Sequence, residues 1–153
     1  RWGVLGLART GRAVAAALIA SGGEVGAWDD DEAARAAFDG TLVDLNRTDL
    51  TGLAGIIVSP GVPHSAPIFA AAARAGVPVI GDIELFAMSE PKGRIVGITG
   101  TNGKSTTTAL VHHLCTTAGI PAAMGGNIGL PILAQDPLPE GGVWVLELSS
   151  YQL

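Results

Sequence analysis

The sequence predicts an α/β fold built on parallel sheets, and three observations carry that prediction. Short apolar runs alternate with alanine-rich helical stretches, the runs are continuous rather than alternating with polar residues, and two of them break into glycine loops that open onto helices. Continuous aliphatic runs suit strands covered on both faces, and a strand–helix–strand order requires crossovers that leave neighbouring strands parallel.

The elements follow in order. "WGVL" (Trp2–Leu5) reads as a strand, and after a glycine turn "RAVAAALIASGG" places Val14, Ala17 and Leu18 at helical spacing before a Ser-Gly-Gly stop. "EVGAW" (Glu24–Trp28) is a second strand that ends in three aspartates, and "AGIIVSPG" (Ala54–Gly61) is a third, closed by Pro-Gly. "SAPIFAAAARAG" (Ser65–Gly76) reads as a helix with Ser65 as N-cap, an early proline and a glycine stop. Strand "VPVIG" and the short helix "DIELFAM" complete the first set. "SEPKG" (Ser89–Gly93) is the polar break at which a domain boundary is expected, giving domains 1–91 and 92–153. Strand "RIVGIT" then meets the second glycine loop. A helix from Lys104 carries Leu110, Val111, Leu114, Cys115 and Ala118 as its expected buried side, and strands "PAAMGG" and "VWVLEL" (Val143–Leu148) follow.

Bulk properties narrow the function classes. Of the 153 residues 48% are hydrophobic and 15% charged, which gives material for a core and argues against disorder. A net charge of −5 speaks against a general nucleic-acid or membrane-surface binder, while a local basic site could still hold phosphate. The single cysteine, Cys115, excludes a disulfide framework and fits a reducing cytoplasm. No apolar run approaches the roughly 18 residues of a membrane span. The chain starts without Met, and it reads as a fragment or as trimmed at both ends.

The loop at Gly100 carries the chemistry. A phosphate needs positive potential and several donors, and backbone N–H groups at a helix N-terminus supply both where glycines let the chain come close. Gly100, Thr101, Asn102, Gly103, Lys104, Ser105 and Thr106 fit such a cradle, with Lys104 for the outer phosphates and the Ser105 hydroxyl for Mg²⁺. The general phosphate-loop pattern asks for glycine where Ile98 stands, so this is a variant; the alternative is an ordinary strand–helix turn with a surface lysine. Glu147, a charge inside an apolar strand near its C-terminal end, is the expected metal carboxylate, or else a carboxylate that simply reaches water. The loop at Gly6 is weaker. Gly6-x-Ala8-x-x-Gly11 is a degenerate dinucleotide fingerprint of Rossmann-like folds, with Asp29 at the end of the next strand and Arg9 and Thr10 within reach of a diphosphate; the alternative is a plain βα turn with Arg9 a solvated charge.

Together these pieces resemble the Mur ligases. "GITGTNGKSTTTAL" is similar to their ATP loop, and "SPGVP" (Ser59–Pro63), "GDIELF" (Gly81–Phe86), "GGNIGLP" (Gly125–Pro131) and "VLELSSYQL" (Val145–Leu153) extend the likeness along the whole chain. Folylpolyglutamate synthetases share the ATP loop but not this combination. The resemblance implies a Rossmann-like domain for the UDP end of the substrate, followed by the first part of a P-loop-type ATP-binding domain. Within the family it points to the member that joins D-glutamate to UDP-N-acetylmuramoyl-L-alanine through an acyl phosphate in peptidoglycan synthesis.

The resemblance also assigns residues. Arg9 and Thr10 would contact the diphosphate, Asp29 and Asp30 the uracil, and Gly61 and Asn127 the sugar–alanine arm. Gly103, Lys104, Ser105 and Thr106 would grip ATP. Ser105 and Glu147 would hold Mg²⁺, with Ser149 close to a second metal, and Lys104 and Glu147 would be the catalytic pair. Two positions depart from the family pattern: Ala8 stands where glycine is frequent, and Arg9 replaces an apolar residue. The D-glutamate site of the family lies beyond this chain, so the polypeptide as given is expected to bind the UDP end and not to turn over. The rival readings are a nicotinamide-dependent oxidoreductase domain and a non-catalytic nucleotide-binding module. His64, His112 and His113 are expected in loop or boundary positions, Cys115 in the core, and Trp2, Trp28 and Trp144 in strand packing.

Overall fold

A computed structural model describes residues 1–149. The chain divides into two compact units, Arg1–Leu85 and the part from Phe86 onward, a few residues before the polar Ser89–Gly93 break.

The first unit holds a four-stranded sheet in the order β2-β1-β3-β4, with every pairing parallel. Its strands are β1 (Trp2–Leu5), β2 (Val25–Trp28), β3 (Gly55–Val58) and β4 (Val79–Ile80), linked through helices α1 (Arg9–Ala20), α2 (Glu32–Ala36) and α3 (Pro67–Ala75). The chain runs from β1 to β2 on one side and then returns to place β3 on the other. That reversal opens a crevice beyond the C-terminal ends of β1 and β3, where parallel sheets collect ligands. Leu5, Ile56, Ile68, Ala72 and Val77 form the core.

Two features of this unit differ from the sequence reading. Helix α3 takes Ala66, not Ser65, as its N-cap, with Pro67 in the first turn and Gly76 left-handed at the C-cap. Pro67 fixes the start, because its ring presets the helical φ and lacks the N–H that a serine cap would have bonded. The 31–54 stretch, in which no element is expected, contributes α2 and the buried Leu45 and Leu50. Those leucines plug the sheet from an irregular loop, so no periodicity betrays them.

The second unit holds a three-stranded parallel sheet in the order β5-β7-β6, from β5 (Arg94–Ile98), β6 (Ala122–Gly126) and β7 (Val143–Glu147). Helix α5 (Lys104–Thr117) links β5 to β6. Helix α4 (Asp82–Met88) spans the division between the units. In the second unit its Phe86 meets Trp144 edge-on at 4.9 Å, and the Trp144 indole N–H donates to Lys92 O at 2.8 Å.

The expected buried side of α5 requires correction. Leu110 and Leu114 are 53% and 58% exposed, Ala118 is exposed, and Val111 and Cys115 are half-buried. The helix is anchored instead through Thr108, which is buried, and through His112, whose Nε2 lies 3.2 Å from Ala122 O on β6. Apolar residues at helical spacing could not reveal that facing. The helix lies over β7 and β6, and the leucines that project elsewhere meet no sheet among the described residues.

Candidate functional site

Each unit presents a glycine loop at the C-terminal edge of its sheet. In the first, β1 ends at Leu5 and the chain turns through Gly6 at φ +93° into α1, whose first residues are Arg9 and Thr10. Arg9 is exposed and Thr10 half-buried. Ala8 is the N-cap and offers no side-chain hydrogen bond, so the first amides of α1 keep their donor capacity. A Cβ on Gly11 would lie 1.7 Å from Gly6 O, which fixes glycine there by close approach of helix to loop.

At the end of β2 the half-buried Asp29 spends both oxygens on backbone. Oδ2 accepts from Leu7 N at 2.5 Å and Oδ1 from Asp31 N at 2.9 Å. Asp30 is exposed and accepts from the Trp28 indole at 3.3 Å. The guanidinium of Arg35 lies 4.7 Å over the Trp28 ring and donates to the Asp29 and Asp30 carbonyls. Gly61 is exposed in the turn after β3. Next to it is a residue that sequence reasoning missed. Ser59 is buried, extends the ladder by donating its N–H to Leu5 O, and donates its hydroxyl to Gly6 O at 3.0 Å. The register places it there: Leu5 pairs with Val58, so Ser59 sits beside Gly6, a neighbour that local sequence does not reveal.

In the second unit, β5 ends at Ile98 and the chain passes through Gly100 at φ +143° and Gly103 at φ +75°. Gly103 is the left-handed N-cap of α5, a backbone conformation that costs other residues about 1 kcal/mol or more. Thr101, Asn102, Ser105 and Thr106 are exposed along loop and first turn. Lys104 Nζ donates to Gly100 O at 2.8 Å, which folds the ammonium over its own loop.

Glu147 is the last residue of β7 and the register partner of Ile98 on one side and Gly126 on the other. The sheet therefore brings its carboxylate to the edge from which the Gly100 loop springs. It is 6% exposed, and its Oε2 is buried with no hydrogen-bond partner. Such an atom costs roughly 1–3 kcal/mol unless a cation or donor joins it. Asn127 follows β6 and donates its N–H to the backbone Glu147 O at 3.1 Å, placing it at the same strand end of the second unit. Ser149 lies two residues beyond Glu147 and is half-buried. The final part of "VLELSSYQL", Ser150 to Leu153, falls outside the described residues.

The residues fit a nucleotide-bound Mg²⁺. That ion takes oxygen ligands, commonly one or two from protein and the rest from water and phosphate, and a buried carboxylate oxygen without a partner and a serine hydroxyl at the start of α5 are donors of that kind. Among the described residues no group of three or more His, Cys, Asp or Glu could hold a metal ion. Cavity size does not locate these edges. A 410 Å³ cavity lies at the opposite end of the first sheet, against Trp2, Val25, Val43 and Leu45. Of the residues not promoted, His64 stacks on Phe69 at 5.5 Å and His113 is exposed.

Each of the two parallel-sheet units is thus an α/β unit with a glycine loop at the C-terminal edge of its sheet, the second with a lysine and a buried carboxylate at that edge. The family model of the Mur ligase MurD-like N-terminal domain matches residues 1–81, and that of the Mur ligase middle domain matches residues 98–153. The chain belongs to the Mur ligase family.

Its relatives carry a specific name. It is 62% identical over its whole length to the UDP-N-acetylmuramoylalanine--D-glutamate ligase of Novosphingobium aromaticivorans, of which it covers 36%. The enzymes of that name from Sphingopyxis alaskensis and Zymomonas mobilis are 58% and 54% identical, over 100% and 99% of the chain and 37% and 39% of their own lengths. The chain thus spans little more than a third of these relatives. No helix among the described residues is long and apolar enough to cross a membrane.

Proposed function

We propose that this chain supplies the UDP-substrate domain and the leading part of the ATP domain of a ligase that joins D-glutamate to UDP-N-acetylmuramoyl-L-alanine. The observation that carries the reading is the buried, unpartnered Oε2 of Glu147 at the edge that bears the Gly100 loop. A buried carboxylate oxygen without a donor gains its missing partner when a cation arrives.

In this reading the first unit binds the donor of the carboxylate to be activated. The amides that open α1, with Arg9 and Thr10, take the diphosphate; Asp29 and Asp30 border the uracil; Gly61 borders the sugar–alanine arm. In the second unit the amides from Gly100 to Thr106 orient the ATP phosphates. Lys104 exchanges its bond to Gly100 O for phosphate oxygens, bringing positive charge to where negative charge develops. Ser105 and Glu147 would hold Mg²⁺, with Ser149 near a second ion. Bound metal would neutralise the phosphates and ease the approach of two anions. The D-glutamate amine then displaces phosphate from the acyl phosphate and forms the amide. The single cysteine and the nucleotide substrates fit a cytoplasmic reaction.

Calorimetry with UDP-N-acetylmuramoyl-L-alanine, UDP, NAD and Mg-ATP tests the reading directly. The UDP-linked substrate should bind and NAD should not. NAD binding without UDP-sugar binding would sink it in favour of an oxidoreductase domain. In the full-length protein, phosphate release should require ATP, D-glutamate and the UDP substrate together.

A further inference from the structure

The Gly6 carbonyl and the Leu7 N–H belong to one peptide group, and each is held by a side chain from a different neighbouring strand end. Ser59, just past β3, donates its hydroxyl to Gly6 O at 3.0 Å. Asp29, just past β2, accepts from Leu7 N at 2.5 Å. β1 lies between those two strands, so the peptide is gripped across the sheet from both sides. We propose that Ser59 and Asp29 are positioning residues that clamp the Gly6–Leu7 peptide at its two ends, and so fix which loop amides remain free for an anionic ligand.

Three observations make the clamp more than incidental. Gly6 is at φ +93°, and a glycine hinge of that kind can rotate the following peptide plane at little steric cost. A Cβ on Gly6 would sit 2.7 Å from Ser59 Cβ, so the loop is already seated on Ser59. The Asp29 carboxylate also accepts from Asp31 N at 2.9 Å, which anchors it on its own strand end while it holds the loop. Were the peptide to turn over, the Gly6 carbonyl would leave the Ser59 hydroxyl and turn toward the Asp29 carboxylate, and the Leu7 N–H would lose its acceptor. An anion at the first amides of α1 would then meet a loop that has lost both of its side-chain bonds in place of a settled one.

The inference rests on the reading of this edge as the UDP end of the substrate site. It moves Asp29 from touching the uracil to holding the loop that faces the ligand. The test uses the full-length protein with Ser59→Ala, Asp29→Ala and the conservative Asp29→Asn, which keeps an acceptor oxygen. Without any nucleotide, amide exchange of the Gly6–Leu7 segment should speed up about tenfold in Asp29→Ala and Ser59→Ala, and by less in Asp29→Asn, which can accept from only one of the two N–H groups that Asp29 holds. KM for the UDP-linked substrate should rise about tenfold in the same two variants, with kcat at saturation within twofold.

Exchange that stays at the parent rate in both alanine variants overturns the clamp, whatever happens to KM. Raised KM with unchanged exchange would make these residues direct ligand contacts. Faster exchange with no UDP-substrate binding even in the parent would leave the clamp standing and sink the substrate assignment instead. Should Asp29→Ala fail to fold, Ser59→Ala and Asp29→Asn still decide the question.

Discussion

The two glycine loops occupy the same place in their sheets and are held in opposite ways. The Gly6 loop is fastened by its surroundings: Ser59 and Asp29 bond its peptide, and Gly11 of α1 packs directly on its carbonyl. The Gly100 loop is exposed, and the side-chain bond described for it comes from its own lysine, Lys104 to Gly100 O. A loop preset by its neighbours offers a ligand a finished surface, and little ordering is left for binding to accomplish. A loop tied by the very group the ligand needs must be reorganised on binding. The first arrangement suits recognition of a substrate to be held, the second a triphosphate that is consumed and released.

That contrast can be broken most forcefully at Gly11. Gly11→Ala places a carbon where backbone oxygen already sits, so helix and loop must part. We expect a loss of about 3 kcal/mol or more in thermal or denaturant unfolding. The corresponding change at Gly103 meets no atom within 4 Å and costs only its left-handed backbone, about 1 kcal/mol. Equal losses at the two sites would erase the distinction between packed and open loops.

A second test separates catalysis from stability. In the full-length enzyme Lys104→Met should lower kcat roughly 10²-fold or more, since it removes a charge clamp on the transferred phosphoryl group. Glu147→Gln should lower kcat comparably and leave the unfolding midpoint the same or higher, because a buried charge without a partner is removed. A marked loss of stability in Glu147→Gln would mean the carboxylate serves the fold.

The smallest effect is expected at Asp82. Its carboxyl is 5% exposed, its Oδ1 has no partner, and burial raises its pKa against the opposing pull of backbone hydrogen bonds. The folded state therefore holds the proton more tightly than the unfolded chain. Stability contributed by the protonated form is complete below the ordinary carboxyl pKa and declines as pH rises through the elevated folded value. Asp82→Asn should flatten that decline and stabilise the protein at neutral pH by about 1 kcal/mol. Unfolding curves taken from acid to neutral pH check both sign and window.

Much of this was legible in the sequence. Both loops, the strands that lead into them and the carboxylate in β7 follow from spacing, because a parallel strand must end in a turn and glycine marks where that turn bends sharply. What stayed hidden depends on neighbours far along the chain. Nothing near Ser59 announces that parallel pairing will set it against Gly6, 53 positions away. Asp29 was legible as an acid at a strand end, yet not as an acceptor for Leu7 N. The buried side of α5 failed for the same reason: helical spacing locates apolar residues, while the sheet beneath decides which of them are covered.

One glycine outside both loops has a consequence of its own. At Gly126, φ +92° combines with a Cβ position 2.2 Å from the carbonyl oxygen of Glu147. Every amino acid reachable by a single base change in a glycine codon carries that carbon. Any replacement of this glycine therefore presses on the strand end that bears the carboxylate.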